Sequence, residues 1–335
     1  MAIAARHGRD TILVTGGAGF IGSNIARALA ADGWRIVVAD WFGTGGKWKN
    51  LADVLLDDVL TPDATLDWLE AHHGRVEAIV HMGAISATTE PDVDLIVARN
   101  IRTTLDLWSA AARHAVRLIY ASSAATYGDG SSGFVDDNSA AHLATLRPLN
   151  AYGWSKLAVD RRFVSDVVGG RPTPPQWAGL RFFNVYGPNE AHKDDMRSVI
   201  HKIYPLAAAG ETVTLFRSHD PNYEDGGQLR DFIHVDDCVA VMRWLIAEPS
   251  VNGIFNVGTG KARSFADLAR AVFAALGQEP RISYVDMPER IQKAYQYFTE
   301  ADMGRLRAAG YQGQFTTLED GITRYVAVLR SAEAR

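Results

Sequence analysis

Cysteine is almost missing from this 335-residue chain. Cys238 stands alone, so no disulfide can form within it, and a reducing compartment suits it. Long apolar runs are missing too: no stretch approaches the roughly 18 uninterrupted apolar residues of a membrane span. The first ten residues, MAIAARHGRD, carry charges in place of the apolar core of a signal peptide. A soluble cytoplasmic protein without a membrane partner is expected. Positive charge is scarce, with 34 Lys and Arg against 39 Asp and Glu and a net charge of −5. That balance argues against broad nucleic-acid binding and leaves room for a local basic pocket around a small anion. No spacing of His, Cys, Asp or Glu suggests a metal site, and there are no repeats or low-complexity segments.

What is present is an ordinary globular mixture, 47% hydrophobic and 22% charged, in a chain longer than one core usually needs. Short β-branched runs alternate with helical patterns through the first half. TILVT (11–15), RIVVAD (35–40), VEAIVHM (76–82), VRLIYASS (116–123) and AGLRFFNV (178–185) read as strands. They are too apolar to alternate, which suits strands buried on both faces of a parallel sheet. SNIARALAADG reads as an intervening helix with Gly33 just past its end. After about residue 186 the rhythm loosens. Residues 217–229, RSHDPNYEDGGQL, form a polar, turn-rich surface loop, IFNVGTG (254–260) a strand and glycine turn. In the last helix Leu318, Ile322, Tyr325 and Leu329 share one packing face.

The glycines of VTGGAGFIGSN (14–24) follow a strand and open a helix. Gly17-x-Gly19-x-x-Gly22, overlaid by Gly16-x-x-Gly19-x-x-Gly22, allows a tight turn, close backbone approach to a pyrophosphate, and a helix N-terminus facing the anion. Asp40 ends the second strand, 18 positions after Gly22, where an acid can bond a ribose 2′-hydroxyl and favours NAD. Lys47 and Lys49 follow, and a lysine folding back would meet a 2′-phosphate. The expectation is an α/β fold: a Rossmann-type doubly wound parallel sheet with a smaller C-terminal substrate-binding domain. Residues 1–184 would form the dinucleotide-binding domain, with elements from about 230–258 returning to it, and 185–335 would be mainly substrate-binding.

Ser123 closes a strand, and Tyr152 and Lys156 in NAYGWSK are spaced to share one helix face. From 11 tyrosines and 7 lysines, chance supplies about 0.2 such pairs, so the glycine motif and the serine-ended strand have to carry the weight. A free phenol, with a pKa near 10, is a poor base at neutral pH, and an adjacent ammonium is expected to lower it. Such a tyrosine exchanges a proton with a hydroxyl while hydride moves at the carbon. Lys156 would also bond the nicotinamide ribose and Ser123 the reacting oxygen.

Together TGGAGFIG, ASSAATYG, YGWSK, NVYGP, RDFIHVDD and FNVGTG resemble the extended short-chain dehydrogenase/reductases that act on nucleotide sugars, over nearly the whole chain. Dehydratases of that superfamily carry an Asp-Glu pair where this chain has Ser123-Ala124-Ala125-Thr126-Tyr127, which disfavours dehydration. HMGAISATTE (81–90), NVYGPNEAHKDDM (184–196) and AYQYFTEADMGRLRAAGY (294–311) are similar to the ADP-glyceromanno-heptose 6-epimerases.

The resemblance implies inversion at C6 of an ADP-heptose through a 6-keto intermediate, with tightly held NADP (NAD the alternative), in a homo-oligomer making a lipopolysaccharide core precursor. It implies Tyr152 and Lys193 as paired acid/base groups, assisted by Ser123; Lys193 as a phosphate ligand is the other reading. A base role needs desolvation or the neighbouring cation His192 to depress the lysine, and Asp194 and Asp195 pointing elsewhere. Cofactor contacts are implied at Gly16, Gly19, Phe20, Ile21, Gly22, Asp40, Trp41, Lys47, Met82, Gly83, Ala84, Ser86, Asn100, Lys156 and Val185. Substrate contacts are implied at Asn184, Lys193, Asp195, His201, Phe216, Arg217, Ser218, His219, Arg230 and Tyr295. Arg230 suits a diphosphate; His201 and Asn100 have packing as the alternative. Two departures stand out: Pro62 replaces an expected lysine near the cofactor, and the 217–229 loop is long. The rival readings are another nucleotide-sugar epimerase, such as a UDP-hexose 4-epimerase, and a non-catalytic dinucleotide-binding module.

Overall fold

The computed structural model describes residues 8–292 and 295–333. MAIAARH of the N-terminal reading and Ala294 of AYQYFTEADMGRLRAAGY lie outside the described residues.

The first half runs β1 (Thr11–Thr15), α1 (Phe20–Ala31), β2 (Arg35–Ala39), β3 (Asp58–Leu60), α2 (Thr65–His72), β4 (Val76–His81), α3 (Val93–Ile96), α4 (Thr103–Arg113), β5 (Arg117–Ser123), α5 (Ala140–Thr145), α6 (Ala151–Val168), β6 (Trp177–Phe182) and β7 (Asn184–Tyr186). The second half continues α7 (Val199–Ala208), β8 (Val213–Phe216), β9 (Leu229–Arg230), β10 (Phe232–His234), α8 (Val235–Ala247), β11 (Gly253–Val257), β12 (Arg263–Ser264), α9 (Phe265–Leu276), β13 (Ile282–Val285), α10 (Glu289–Gln292), α11 (Gly304–Ala308) and α12 (Leu318–Glu333).

Seven strands form one parallel sheet in the order β11-β6-β5-β4-β1-β2-β3. TILVT and VEAIVH are buried at every position, as strands covered on both faces must be. Strand order reverses at the β1–β4 boundary. In open α/β sheets the crevice at the carboxyl ends of such a pair is where ligands bind. The strand β3 is new relative to the sequence reading; it is three residues long and only partly buried, too short for a periodic signal.

One strand differs from expectation. AGLRFFNV is two strands, because the chain changes partners at Phe183. Its N–H goes to the Val257 carbonyl and that of Asn184 to the Asp231 carbonyl, so β7 leaves the sheet and pairs with β10. This switch carries the chain out of the sheet and towards residues 188–198. The α1 helix starts at Phe20 and ends at Asp32, with Gly33 at φ +93°, the left-handed conformation that closes a helix. The last helix buries Leu318, Ile322 and Tyr325 in a separate C-terminal core with α7 and α9.

Beneath the carboxyl ends of β5 and β6 lies a buried ion pair. The Asp160 carboxylate, on α6, accepts from Arg181 Nε (3.1 Å) and Nη2 (2.9 Å), from Tyr120 Oη (2.9 Å) and from Ser122 Oγ (3.0 Å). Both partners are fully excluded from solvent. The Arg181 guanidinium also lies 4.8 Å from the Tyr127 ring. Removing one member of such a pair leaves an unpaired buried charge, which costs about 3–5 kcal/mol. Arg181→Met is therefore expected to lower unfolding stability by an amount of that order. A urea titration showing a change below ~1 kcal/mol would contradict the assignment.

Candidate active site

A cleft of about 490 Å³ opens at the β1–β4 boundary. Its floor is the glycine turn. Gly16 has φ +64°, and a Cβ there would sit 2.5 Å from the Gly83 nitrogen; one on Gly22 would sit 2.2 Å from the Gly16 carbonyl oxygen. Both contacts are to backbone that cannot give way, so the turn closes only on glycine. No side chain caps α1 at Gly19 and no acid stands in its first turn. The positive end of the helix is thus left to the cleft, a fit for a dinucleotide's pyrophosphate.

At the rim, Asp40 accepts from the Ala18 N–H (2.9 Å) and from Lys47 Nζ (2.6 Å). The lysine does fold back, and it lands on the acid itself. Trp41 stays out of the wall: it is 47% exposed, with the Arg99 guanidinium 5.8 Å from its ring.

The opposite wall is Met82–Ala87, and its shape is imposed from behind. His81, fully enclosed at the end of β4, bonds Thr15 Oγ1 (2.6 Å) through Nδ1 and Thr104 Oγ1 (2.9 Å) through Nε2. The Thr104 hydroxyl proton is committed to the Asn100 carbonyl (2.6 Å), so Nε2 must donate and Nδ1 must accept. The Thr15 oxygen in turn accepts from the Gly83 N–H (3.3 Å). Burial, helped by the nearby Lys156 charge, lowers the imidazole to about 3.

Asn100 occupies a π-helical stretch, Val97–Arg102, that turns it inward. Its amide accepts from the Ile85 N–H (2.8 Å) and donates to the Ile85 carbonyl (3.0 Å) and to Ser155 Oγ (3.1 Å). It therefore braces the loop against α6 and does not line the cleft, a correction to its expected place beside the nicotinamide.

Tyr152, Lys156 and Ser123 meet in the cleft with Lys193. The Asn150 side chain caps α6 through the Gly153 N–H (2.8 Å) and sets Tyr152 in its first turn. Lys156 Nζ is 6.0 Å from the Tyr152 ring. Contrary to expectation, the phenol is raised: enclosure by protein outweighs the opposing Ser123 hydrogen bond, and the lysine is too distant and too desolvated to reverse it. Lys156 itself is lowered to about 8 by burial, with Asp160 one helical turn on opposing the shift. So placed, the phenol keeps its proton at neutral pH.

Lys193 lines the same cleft, its ammonium 5.4 Å from the Phe20 ring. Desolvation lowers it, opposed by Glu190. Neither following aspartate is among the groups that shift it. The Asp195 backbone carbonyl is taken by Lys202 Nζ, and that of Asp194, at φ +46°, by Arg197. His192 is not the cation the sequence suggested: burial first, then Lys47 and Lys193, depress it, and it is neutral at pH 7. Desolvation, partly offset by Glu190, tunes Lys193.

Val185 lines the cleft, whereas Asn184, Asp195, His201 and residues 216–219 lie beyond its lining. Asn184 is exposed on β7. His201 sits on α7, its N–H on Ser198 Oγ and its Nδ1 without a protein partner. Phe216 ends β8. Arg217, half exposed, faces Asp286 (3.5 Å); Ser218 closes a turn with Asp220; the His219 N–H donates to the Tyr297 hydroxyl (3.0 Å). Arg230 is nearly buried, stacked 5.2 Å from the Tyr295 ring and 5.7 Å from Phe265, with no acid paired to it among the described residues. Burial lowers it. A desolvated guanidinium without a counterion is built for an anion. Ile85, Ala87, Ala121, Ser122, Phe182, Phe183, His192 and Met196 also line the cleft. They were absent from the expected contacts because strand ends such as Ala121 and Phe182, and loop positions such as Ile85 and Ala87, carry no motif of their own.

Residues 12–258 match the family described as the NAD dependent epimerase/dehydratase family. The chain is 51% identical over 319 residues to an ADP-L-glycero-D-manno-heptose-6-epimerase of Nitratidesulfovibrio vulgaris strain Hildenborough, covering 94% of this chain and 96% of that one. Among solved structures it is similar to the Helicobacter pylori ADP-L-glycero-D-manno-heptose-6-epimerase, at TM-score 0.81, 28% identity and 99% of both chains. It is similar also to a Thermus thermophilus UDP-glucose 4-epimerase complexed with NAD, at TM-score 0.74, 26% identity, 96% of this chain and 99% of that one.

The imidazole of His81 takes up a proton near 6.5 when unfolded and only near 3 when folded. Between those values the unfolded chain binds the extra proton, so stability falls as pH falls from 6.5. His192, His201 and His234, all lowered, act in the same direction. Each such site contributes a slope of up to ~1.4 kcal/mol per pH unit. Urea midpoints measured from about pH 7 to about pH 4.5 are expected to fall, and His81→Asn to flatten the dependence. An equal slope in the variant would refute the assignment to His81.

Proposed function

From a chain that belongs to the NAD dependent epimerase/dehydratase family, we infer an epimerase that inverts C6 of the heptose in ADP-D-glycero-β-D-manno-heptose, giving ADP-L-glycero-β-D-manno-heptose for lipopolysaccharide core synthesis. Similarity to the named 6-epimerases along nearly the whole chain supports this substrate over a UDP-hexose. The observation that carries the mechanism is that Tyr152 and Lys193 line one cleft, floored by the glycine turn.

A bound nicotinamide dinucleotide supplies the hydride acceptor and donor. Everything else falls to side chains. The C6 hydroxyl must lose its proton as it becomes a ketone, and regain one on the opposite face after the sugar reorients. Burial raises Tyr152 and lowers Lys193, pushing both towards their neutral forms, one proton donor and one acceptor. Such a pair suits one transfer on each face. Ser123, beside Tyr152, would hold the reacting oxygen, and Lys156 would face the nicotinamide ribose.

NADP is the proposed form of the cofactor, since Lys47 offers a cation beside Asp40 on the cleft wall. Pro62, which opens a 3₁₀ turn, offers none. Residues 1–184, with β11 returning, would hold the dinucleotide, and 185–335 mainly the sugar nucleotide. In that second part Arg230 and Tyr295 would meet the diphosphate, and Asn184, Asp195, His201 and residues 216–219 the remainder of the substrate. The family resemblance supports a cytoplasmic homo-oligomer, and no helix among the described residues is long and apolar enough to cross a membrane.

Incubation with ADP-D-glycero-β-D-manno-heptose or UDP-glucose, read by product NMR, tests the substrate; turnover of the UDP sugar alone would end the heptose reading. Tyr152→Phe is expected to lower kcat at least about a hundredfold, in line with loss of a general acid/base. Lys193→Met should slow epimerisation far more than it weakens ADP binding by calorimetry. Equal losses would make Lys193 a phosphate ligand instead.

A further inference from the structure

Lys193 is the one proposed acid/base group that neither a helix nor a sheet strand supports. It rides in a 3₁₀ turn, Ala191–Met196, beyond the point where β7 leaves the sheet. Three non-glycine residues among those described have positive φ, and two of them, Asn189 (+74°) and Asp194 (+46°), flank it. Such conformations cost about 1–3 kcal/mol and persist only where surrounding contacts over-determine them. Glu190 supplies one contact within the loop, accepting from Ser198 Oγ (2.6 Å) and from its N–H.

Lys202, on α7, holds the Asp195 carbonyl, and the contacts to the dinucleotide half of the chain run through asparagine amides. Asn24, on α1, donates to the Pro188 carbonyl (3.0 Å), and Asn189 donates back to Ser23 Oγ (3.0 Å). Asn50 is central. Its Nδ2 lies 2.9 Å from the Ala18 carbonyl in the glycine turn, 3.2 Å from the Asn189 carbonyl and 3.2 Å from His192 Nδ1. Two carbonyl acceptors fix which end of that amide is nitrogen. His192 can accept there only with Nδ1 bare, the neutral state in which its burial holds it. Asn50 shares the Gly46–Leu51 turn with Lys47, which bonds Asp40 at the cleft rim. A single side chain thus joins the glycine turn, the rim turn and the loop of Lys193.

We propose that Asn50 is a positioning residue: it clamps the 188–198 loop onto the cofactor-binding turns and so holds Lys193 where it faces Tyr152. The proposal rests on the epimerase reading above for its catalytic consequence, and on the contacts alone for the clamp. Asn50 does not line the cleft, so its loss removes no side chain from the cofactor's wall.

The test is a double-mutant cycle with an independent structural readout. Asn50→Ala is expected to lower kcat on ADP-D-glycero-β-D-manno-heptose at least about tenfold, with KM and NADPH affinity by fluorescence titration each within about threefold. Asn50→Asp keeps the shape but sets a carboxylate against two carbonyls, and should be at least as slow. Combined with Lys193→Met, neither change should slow the enzyme further, since the residue being positioned is gone. Hydrogen exchange of the protein without added ligand, read by mass spectrometry, should rise several-fold in peptides spanning 188–198 and stay unchanged in α6. Multiplicative losses in the double variant, or unchanged exchange in that loop, overturn the proposal. A wild-type protein inert towards the heptose removes the epimerase reading and the catalytic half of the proposal, while the exchange result still decides the clamp.

Discussion

A carboxylate sealed from water has to be met by charge and hydrogen bonds, and Asp160 is met by two other elements. Arg181 comes from β6, Tyr120 and Ser122 from β5, and the acid itself from α6. The positions of Ser123, Tyr152 and Lys156 in the cleft follow from that junction. Ser123 is the residue after Ser122, Lys156 is one helical turn before Asp160, and Tyr152 one turn before that. Because the unpaired charge is so costly, the junction admits one arrangement, and helix and strand meet in a single register. Conformational specificity of this kind matters more to a site than the pair's net contribution to stability.

Water exclusion then sets the chemistry. The same enclosure that raises Tyr152 lowers Lys193, Lys156 and Arg230, because burial penalises whichever form is charged. A tyrosine and a lysine in water differ little in pKa and would both be protonated at neutral pH. In the cleft burial moves the two apart, raising the phenol and lowering the ammonium. Arg230, enclosed with no acid paired to it among the described residues, is lowered by the same burial. Behind the far wall, His81 and Asn100 spend all their hydrogen bonds on shape. They are polar residues with an architectural task, and their burial shows which face of each element carries it.

Much of this was legible in the residues. Continuous apolar runs separated by helical periodicity determine a parallel sheet, because strands covered on both faces have no polar side to show. The glycine spacing determines a tight turn and a helix N-terminus, since two of its positions have no room for a Cβ. Tyr152 and Lys156 sit four apart on one helix, a local relation that the chain states directly. Less legible were Trp41 and Asn100, expected at the cofactor and found outside the cleft wall. Their direction depends on a solvent-facing turn and a π-helical bulge that no short-range pattern encodes.

Tertiary structure alone decided the rest. The switch of partners at Phe183, the bond of Lys47 to Asp40 and the neutral state of His192 each arise between residues far apart in the chain or from the depth at which a group is buried. So does the hold of Asn24 and Asn50 on the loop of Lys193, across separations of 164 and 139 residues. A sequence determines which groups are available and how neighbours on one helix or strand align, because those distances are short and covalently limited. It does not display desolvation or long-range hydrogen bonding, which exist only once the chain has closed around them.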